Sequence, residues 1–147
     1  MSYVSNADIE KRVGPAAYVQ LTDDEGTGSA NEDRVDEARL GAEGEVDSYL
    51  ARRHAVPVDL SGHPQVQAVL VGFVLDLAVY RLHARRPPVP QDAVRRREEA
   101  VRWLQRVAEG QVHLPAADVV EANPAGGVVA EARSAERKFD RSGLERL

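Results

Sequence analysis

The stretch QVQAVLVGFVLDLAVYRLHAR, Gln65 to Arg85, decides the fold. Its apolar residues Val66, Val69, Leu70, Phe73, Val74, Leu77, Val79 and Tyr80 fall on almost every side of a helix drawn at 3.6 residues per turn. A helix of that kind belongs at the centre of a helical protein. The apolar run Val66 to Leu82 contains Asp76 and Arg81. It is shorter than the roughly 20 residues a bilayer core requires, so the expectation is a buried helix and no membrane.

The flanks of this helix are clear. Downstream, RRPPVPQD breaks the chain before Asp92, which is placed to cap a further helix with the stripe Val94, Val101, Leu104 and Val107. Gly110 ends that helix, and the core ends near Leu114. Upstream, HAVPVDLSGHP reads as a loop, because Pro57 and Pro64 rule out helix and its two short apolar runs can fold over the core. Before it, Asn31 or Ser29 can cap a helix whose apolar positions Val35, Ala38, Ala42, Val46, Tyr49 and Leu50 keep helical spacing to about Arg53. Gly41 and Gly44 weaken it by roughly 1 kcal/mol each relative to alanine, so close packing against a neighbour is expected there. SNADIEKRV opens a short first helix, with Ser5 as cap and Asp8 answering the Ser5 amide, and Gly14-Pro15 stops it. The expected fold is all-α: a compact bundle of about four helices over residues 1–114, then a linker and long irregular C-terminal arm over 115–147. At 147 residues the chain suits one domain with a core. The arm carries alanine, glycine and charge, too little apolar surface to order alone, until Phe139, Leu144 and Leu147.

Composition narrows the chemistry. With no cysteine, the chain has no disulfide framework, no thiolate nucleophile and no zinc held by sulfur, and it fits a reducing compartment. His54, His63, His83 and His113 are scattered, none one helical turn from another histidine or carboxylate in a metal-binding pattern. The serines lack a nucleophile-elbow context, and no glycine-rich loop joins a strand to a helix as a phosphate cradle would. The expectation is a protein that is not an enzyme and has no cofactor and no metal. LTDDEGTGSANEDRV, Leu21 to Val35, invites comparison with a calcium loop. Setting Gly28 at the sixth position puts Asp23, Glu25, Thr27 and Asn31 on ligand positions but leaves Arg34 where the bidentate carboxylate is needed. A turn in which Asp and Asn side chains bond their own backbone is expected instead.

Charge is unevenly placed. Residues 1–50 hold 12 acids and 4 bases, whereas 51–114 hold 6 acids and 10 bases. Arg85, Arg86, Arg95, Arg96 and Arg97, continued by Arg102 and Arg106, form either a phosphate-binding face or the solvated side of an amphipathic helix. Asp76 inside the apolar helix needs a cation, for which Arg81, Arg53 or an arginine of the last helix is expected. The same carboxylate also suits a polar spot at a subunit contact.

Leu21-Thr22-Asp23 with Gly26-Thr27-Gly28, then Val46-Asp47-Ser48-Tyr49-Leu50 with Arg53-His54-Ala55-Val56-Pro57, then Asp76-Leu77-Ala78-Val79-Tyr80-Arg81-Leu82, follow one another in an order that resembles the Mu-type phage head-tail adaptor family. The closing Phe139, Arg141, Ser142 and Leu144 are similar to the end of that family. The resemblance covers nearly the whole chain. It implies a structural neck protein of the virion, assembled in the host bacterial cytoplasm as a ring of about twelve copies between the portal protein and the next neck, stopper or tail terminator protein. DNA would pass through the channel without specific binding, and the acidic first third is a candidate for part of the lining. On that likeness, Phe139, Arg141, Leu144 and Leu147 are the candidates for docking on the portal. Asp47, Tyr49, Arg53, Asp76 and Arg81 are the candidates for contacts between copies. The alternative is a small helical DNA-binding regulator that uses the basic face from Arg85 to Arg106.

Overall fold

The computed structural model describes residues 2–118. They form five helices, α1 (Asn6–Val13), α2 (Pro15–Thr22), α3 (Glu32–Leu50), α4 (Pro64–Ala84) and α5 (Gln91–Ala108), with no strand among the described residues beyond one isolated bridge. The fold is all-α. α4 touches each of the other four helices, most extensively α3 and α5, while α1 and α2 pack on each other and on α3. One core runs through all five, including Ile9, Leu21, Val35, Val46, Leu50, Leu70, Val74, Leu77, Leu82, Leu104 and Val107, and Leu114 closes it.

The termini of the helices follow from local chemistry. At α1 the Ser5 hydroxyl accepts from the Asp8 amide at 3.2 Å while the Asp8 carboxylate accepts from the Ser5 amide at 2.9 Å, satisfying two of the donors a helix start leaves unpaired. The expected stop at Gly14-Pro15 is instead a corner. Gly14 turns with φ of +87°, and Pro15 opens α2, which the sequence reading left out. Proline's fixed φ suits a first helical position, and the N–H it lacks would have had no partner there. Pro64 does the same for α4. That proline marks the end of the loop as predicted, but as the first residue of a helix.

Asn31, of the two proposed caps, starts α3 by accepting from the Asp33 amide at 3.1 Å and the Arg34 amide at 3.4 Å. α3 ends at Leu50, with residues 51–53 in a turn rather than helix. α5 begins one residue before Asp92, with Pro90 at the capping position and no side-chain cap. Asp92, expected as that cap, lies in the first turn and pairs with Arg95 at 2.6 Å and Arg96 at 2.8 Å. The loop before α4 buries Val58 and Leu60 as its apolar pattern requires. Past Leu114 the chain stays on the core as far as Asp118, because the Ala55 amide donates to the Ala117 carbonyl at 3.0 Å and His54 bridges to Asp118.

Candidate functional site

The polar residues singled out from sequence are drawn into several separate ion pairs and hydrogen bonds that tie the helices together, and Arg81 belongs to the one that joins α3, α4 and α5. Glu45 of α3 is its centre. Its carboxylate accepts from Arg81 of α4 at 2.9 Å and from Arg97 of α5 at 3.2 Å, and the Arg97 guanidinium lies 5.0 Å from the centre of the Tyr80 ring. Gly41 makes room for this: a Cβ there would stand 2.8 Å from Arg81 Nη1. Gly44, for which close packing was also expected, faces open space.

Asp76 is satisfied by Arg12 of α1, and not by Arg81, Arg53 or an arginine of α5. A long side chain from a neighbouring helix reaches it, which linear spacing could not reveal. Asp47 accepts from the Tyr3 hydroxyl at 2.6 Å, and the same hydroxyl accepts from the Val58 amide at 2.9 Å. Burial, then the bond to Asp47, pushes the Tyr3 phenol far above its ordinary value. Arg53 donates to the Ala108 carbonyl at 3.3 Å, with its guanidinium over Gly110 in a cleft of about 440 Å³ shared with Arg52, His54 and His113. Tyr49 is half-buried against the core. Of the five candidates for contacts between copies, Asp47, Arg53, Asp76 and Arg81 thus spend polar groups inside the subunit. Phe139, Arg141, Leu144 and Leu147 lie outside the described residues.

The acidic loop and the basic cluster meet. Asp24 accepts from Arg85, from Arg86 at 3.1 Å and approaches Arg34 at 3.4 Å, while Arg85 and Arg86 also donate to the Leu21 and Asp23 carbonyls at 2.8 and 2.7 Å. The Arg86 and Arg85 hydrogen bonds hold the Asp24 carboxyl below the usual carboxylate range. Asp23 makes the turn, accepting from the amides of Thr27 at 2.9 Å and Gly28 at 2.7 Å, with Gly26 and Gly28 at φ of +71° and +79°. Those two amides lower its carboxyl as well. Arg102 and Arg106, on the outer side of α5, have no carboxylate partner among the described residues.

Two functional-looking groups escaped the sequence reading. Glu43, not Asp76, is the buried carboxylate among the described residues, and it accepts from the Ser2 hydroxyl at 2.6 Å and the amides of Tyr3 at 2.8 Å and Val4 at 3.2 Å. Its position was a signal, since it lies eight residues after Val35 and seven before Leu50 on the buried stripe of α3. The second is Glu45, whose two arginine partners come from distant parts of the sequence.

The model of one protein family, described as Bacteriophage Mu, Gp36, matches residues 3–132. The chain belongs to the bacteriophage Mu Gp36 family. The match begins at Tyr3, at the Glu43 latch, and takes in all five helices, so the Gp36 family membership applies to the whole bundle rather than to one motif. It makes this a Mu-type phage protein. A comparison with curated proteins gives no match.

Proposed function

We propose that this Gp36-family protein is a head-tail adaptor, a ring component of the phage neck set between the portal and the next neck or tail component, with DNA passing through its channel. The observation that carries the reading is the Gp36 family match over residues 3–132. The architecture supports it: a small helical subunit whose helices are tied together by internal ion pairs is rigid enough to be repeated, and its exposed apolar groups are free to meet copies or partners. Ring formation of about twelve copies then rests on one contact repeated with closing rotation.

The basic face is a weaker foundation for a DNA-binding regulator. Arg85, Arg86, Arg95, Arg96 and Arg97 all have acidic partners within the chain, leaving Arg102 and Arg106 on that stretch to meet phosphates.

Sedimentation of the full chain with and without purified portal protein tests the adaptor reading. A large co-sedimenting species, seen end-on as a ring by electron microscopy, is expected. A chain that never associates with portal at micromolar concentrations, yet binds duplex DNA at physiological salt, would overturn it.

A further inference from the structure

α4 is 21 residues long and apolar enough to cross a membrane, yet only 28% of its most apolar window is buried. Its inward side, Leu70, Val74, Leu77, Ala78 and Leu82, fills the core. Its first half carries a second apolar stripe that none of the other described residues covers completely. Val69 lies three residues after Val66, and Gly72 and Phe73 lie three and four residues after Val69, which puts them on one side of the helix. Val69 is 46% exposed, and a Cβ on Gly72 would meet nothing within 4 Å. Phe73 extends the stripe to α5 by packing on the half-buried Trp103, with ring centres 5.0 Å apart.

A second, separate feature lies on α3. Leu40 is the most exposed large hydrophobic residue described, at 59%, and Gly44, one turn on along the same side, is open. Leu40 is thus a projecting knob beside a flat place. The same side of α3 carries the exposed acids Asp33 and Glu37, the latter paired with Arg34 at 3.2 Å, while α5 exposes Arg102 and Arg106 together with Glu98 and Glu99.

We propose that these two surfaces are the two halves of the contact between copies, the Leu40 side of α3 on one subunit seating on the Val69–Phe73–Trp103 stripe of the next. This rests on the ring reading above and names the surfaces that would build it. Charge complementarity selects a second copy as the occupant, since Asp33, on the Leu40 side of α3, and Arg102 and Arg106 of α5 are exposed opposite charges with no ion-pair partner among the described residues. The geometry favours a head-to-tail contact. α3 and α4 pack on each other through their buried sides, so their outward sides look away from one another and cannot both be used in a single two-fold pairing of like with like. A contact between unlike surfaces leaves one of each free, and repetition closes a ring.

The test uses full-length Leu40→Glu and Val69→Glu, both at exposed positions on helices, with circular dichroism to verify folding. The wild-type chain at concentrations up to about 1 mM, or on portal, forms large assemblies, and each variant alone loses about ten-fold or more of that assembly. Mixed one to one, the variants form a heterodimer and nothing larger, because Leu40→Glu keeps an intact stripe and Val69→Glu keeps an intact knob. Since the chain has no cysteine, a Leu40→Cys, Val69→Cys double variant provides a clean check: oxidation gives a ladder of covalent multimers on denaturing gels. If both glutamate variants assemble like wild type, or if Val69→Glu alone fails while Leu40→Glu is normal, these surfaces are wrong and the ring reading stands. A wild-type chain that stays monomeric with and without portal overturns both. Flotation of the wild-type chain with phospholipid vesicles, lost in Val69→Glu, would assign the stripe to a lipid surface and overturn the proposal.

Discussion

Glu43 holds the N-terminus of the chain on the bundle, taking hydrogen bonds from Ser2, Tyr3 and Val4 at a site nearly closed to solvent. Glu43→Ala leaves two amides and a hydroxyl without their acceptor, and is expected to lower unfolding free energy by about 3 kcal/mol in a urea titration, because orphaned polar groups lose their full desolvation cost. A loss under about 0.5 kcal/mol would show that the latch contributes little. Exposed and half-exposed carboxylates set the acid limb of stability. Asp8 (held by Ser5), Asp23 (by Thr27 and Gly28), Asp24 (by Arg86 and Arg85), Asp36 (by Arg39 and Asn6) and Asp59 (by Ser61) all have carboxyls below their ordinary value in the fold. Their contribution is therefore present above the unfolded value, about 3.9, and is lost as pH falls through the folded ones. The melting temperature should hold steady from about pH 7 to 5 and decline below about 4. Tyr3 and Tyr18 are shifted the other way, chiefly by burial, so their contribution is present below about pH 10 and lost above it. A melting curve that is flat from pH 5 to 2 would contradict the acid half of this picture.

Two glycines of α3 and one just after α5 separate propensity from packing. Gly44 is helical with open space around it, so Gly44→Ala should stabilise by about 1 kcal/mol, the ordinary helix preference. Gly41 has the same intrinsic preference, but a methyl group there meets the Arg81 guanidinium and must displace it from Glu45. Gly41→Ala should show little or none of that gain. Gly110 turns the chain after α5 with φ of +78° and has Arg53 Cζ 2.5 Å from where a Cβ would be. Gly110→Ala should cost about 1–2 kcal/mol through the disfavoured backbone conformation and the displaced guanidinium. Thermal melts of the three variants check the order, and equal effects at positions 41 and 44 would remove the packing role given to Arg81. At this scale sequence reading succeeded where one signal dominates, as in the Ser5–Asp8 box and the Asn31 cap. It failed at α2, whose eight residues are too few for a periodic pattern and whose opening Gly-Pro pair is the same pair that ends a helix.

For the whole molecule, the described core closes within residues 2–118: Leu114 is fully buried and the strap to Asp118 is bonded to Ala55. Deleting residues 134–147, which carry Phe139, Arg141, Leu144 and Leu147, is therefore expected to leave helical content and melting almost unchanged while abolishing attachment to portal-bearing heads. Normal joining of heads and tails by the truncated chain, or collapse of its melting transition, would refute the docking role proposed for those residues. The sequence by itself determined the all-α class, the three long helices and most of their inward residues, because apolar spacing along a helix is a local property that burial can only ratify. Tertiary structure decided the ion pairs. Arg12 with Asp76, Glu45 with Arg81 and Arg97, and Asp24 with Arg85 and Arg86 join residues far apart in the chain, and long flexible cations choose among carboxylates by three-dimensional proximity, which no spacing encodes. It decided, too, which side of an almost wholly apolar α4 is left uncovered: a helix without a polar face has no amphipathic direction of its own, and only the placement of α1, α2, α3 and α5 around it gives it an outside.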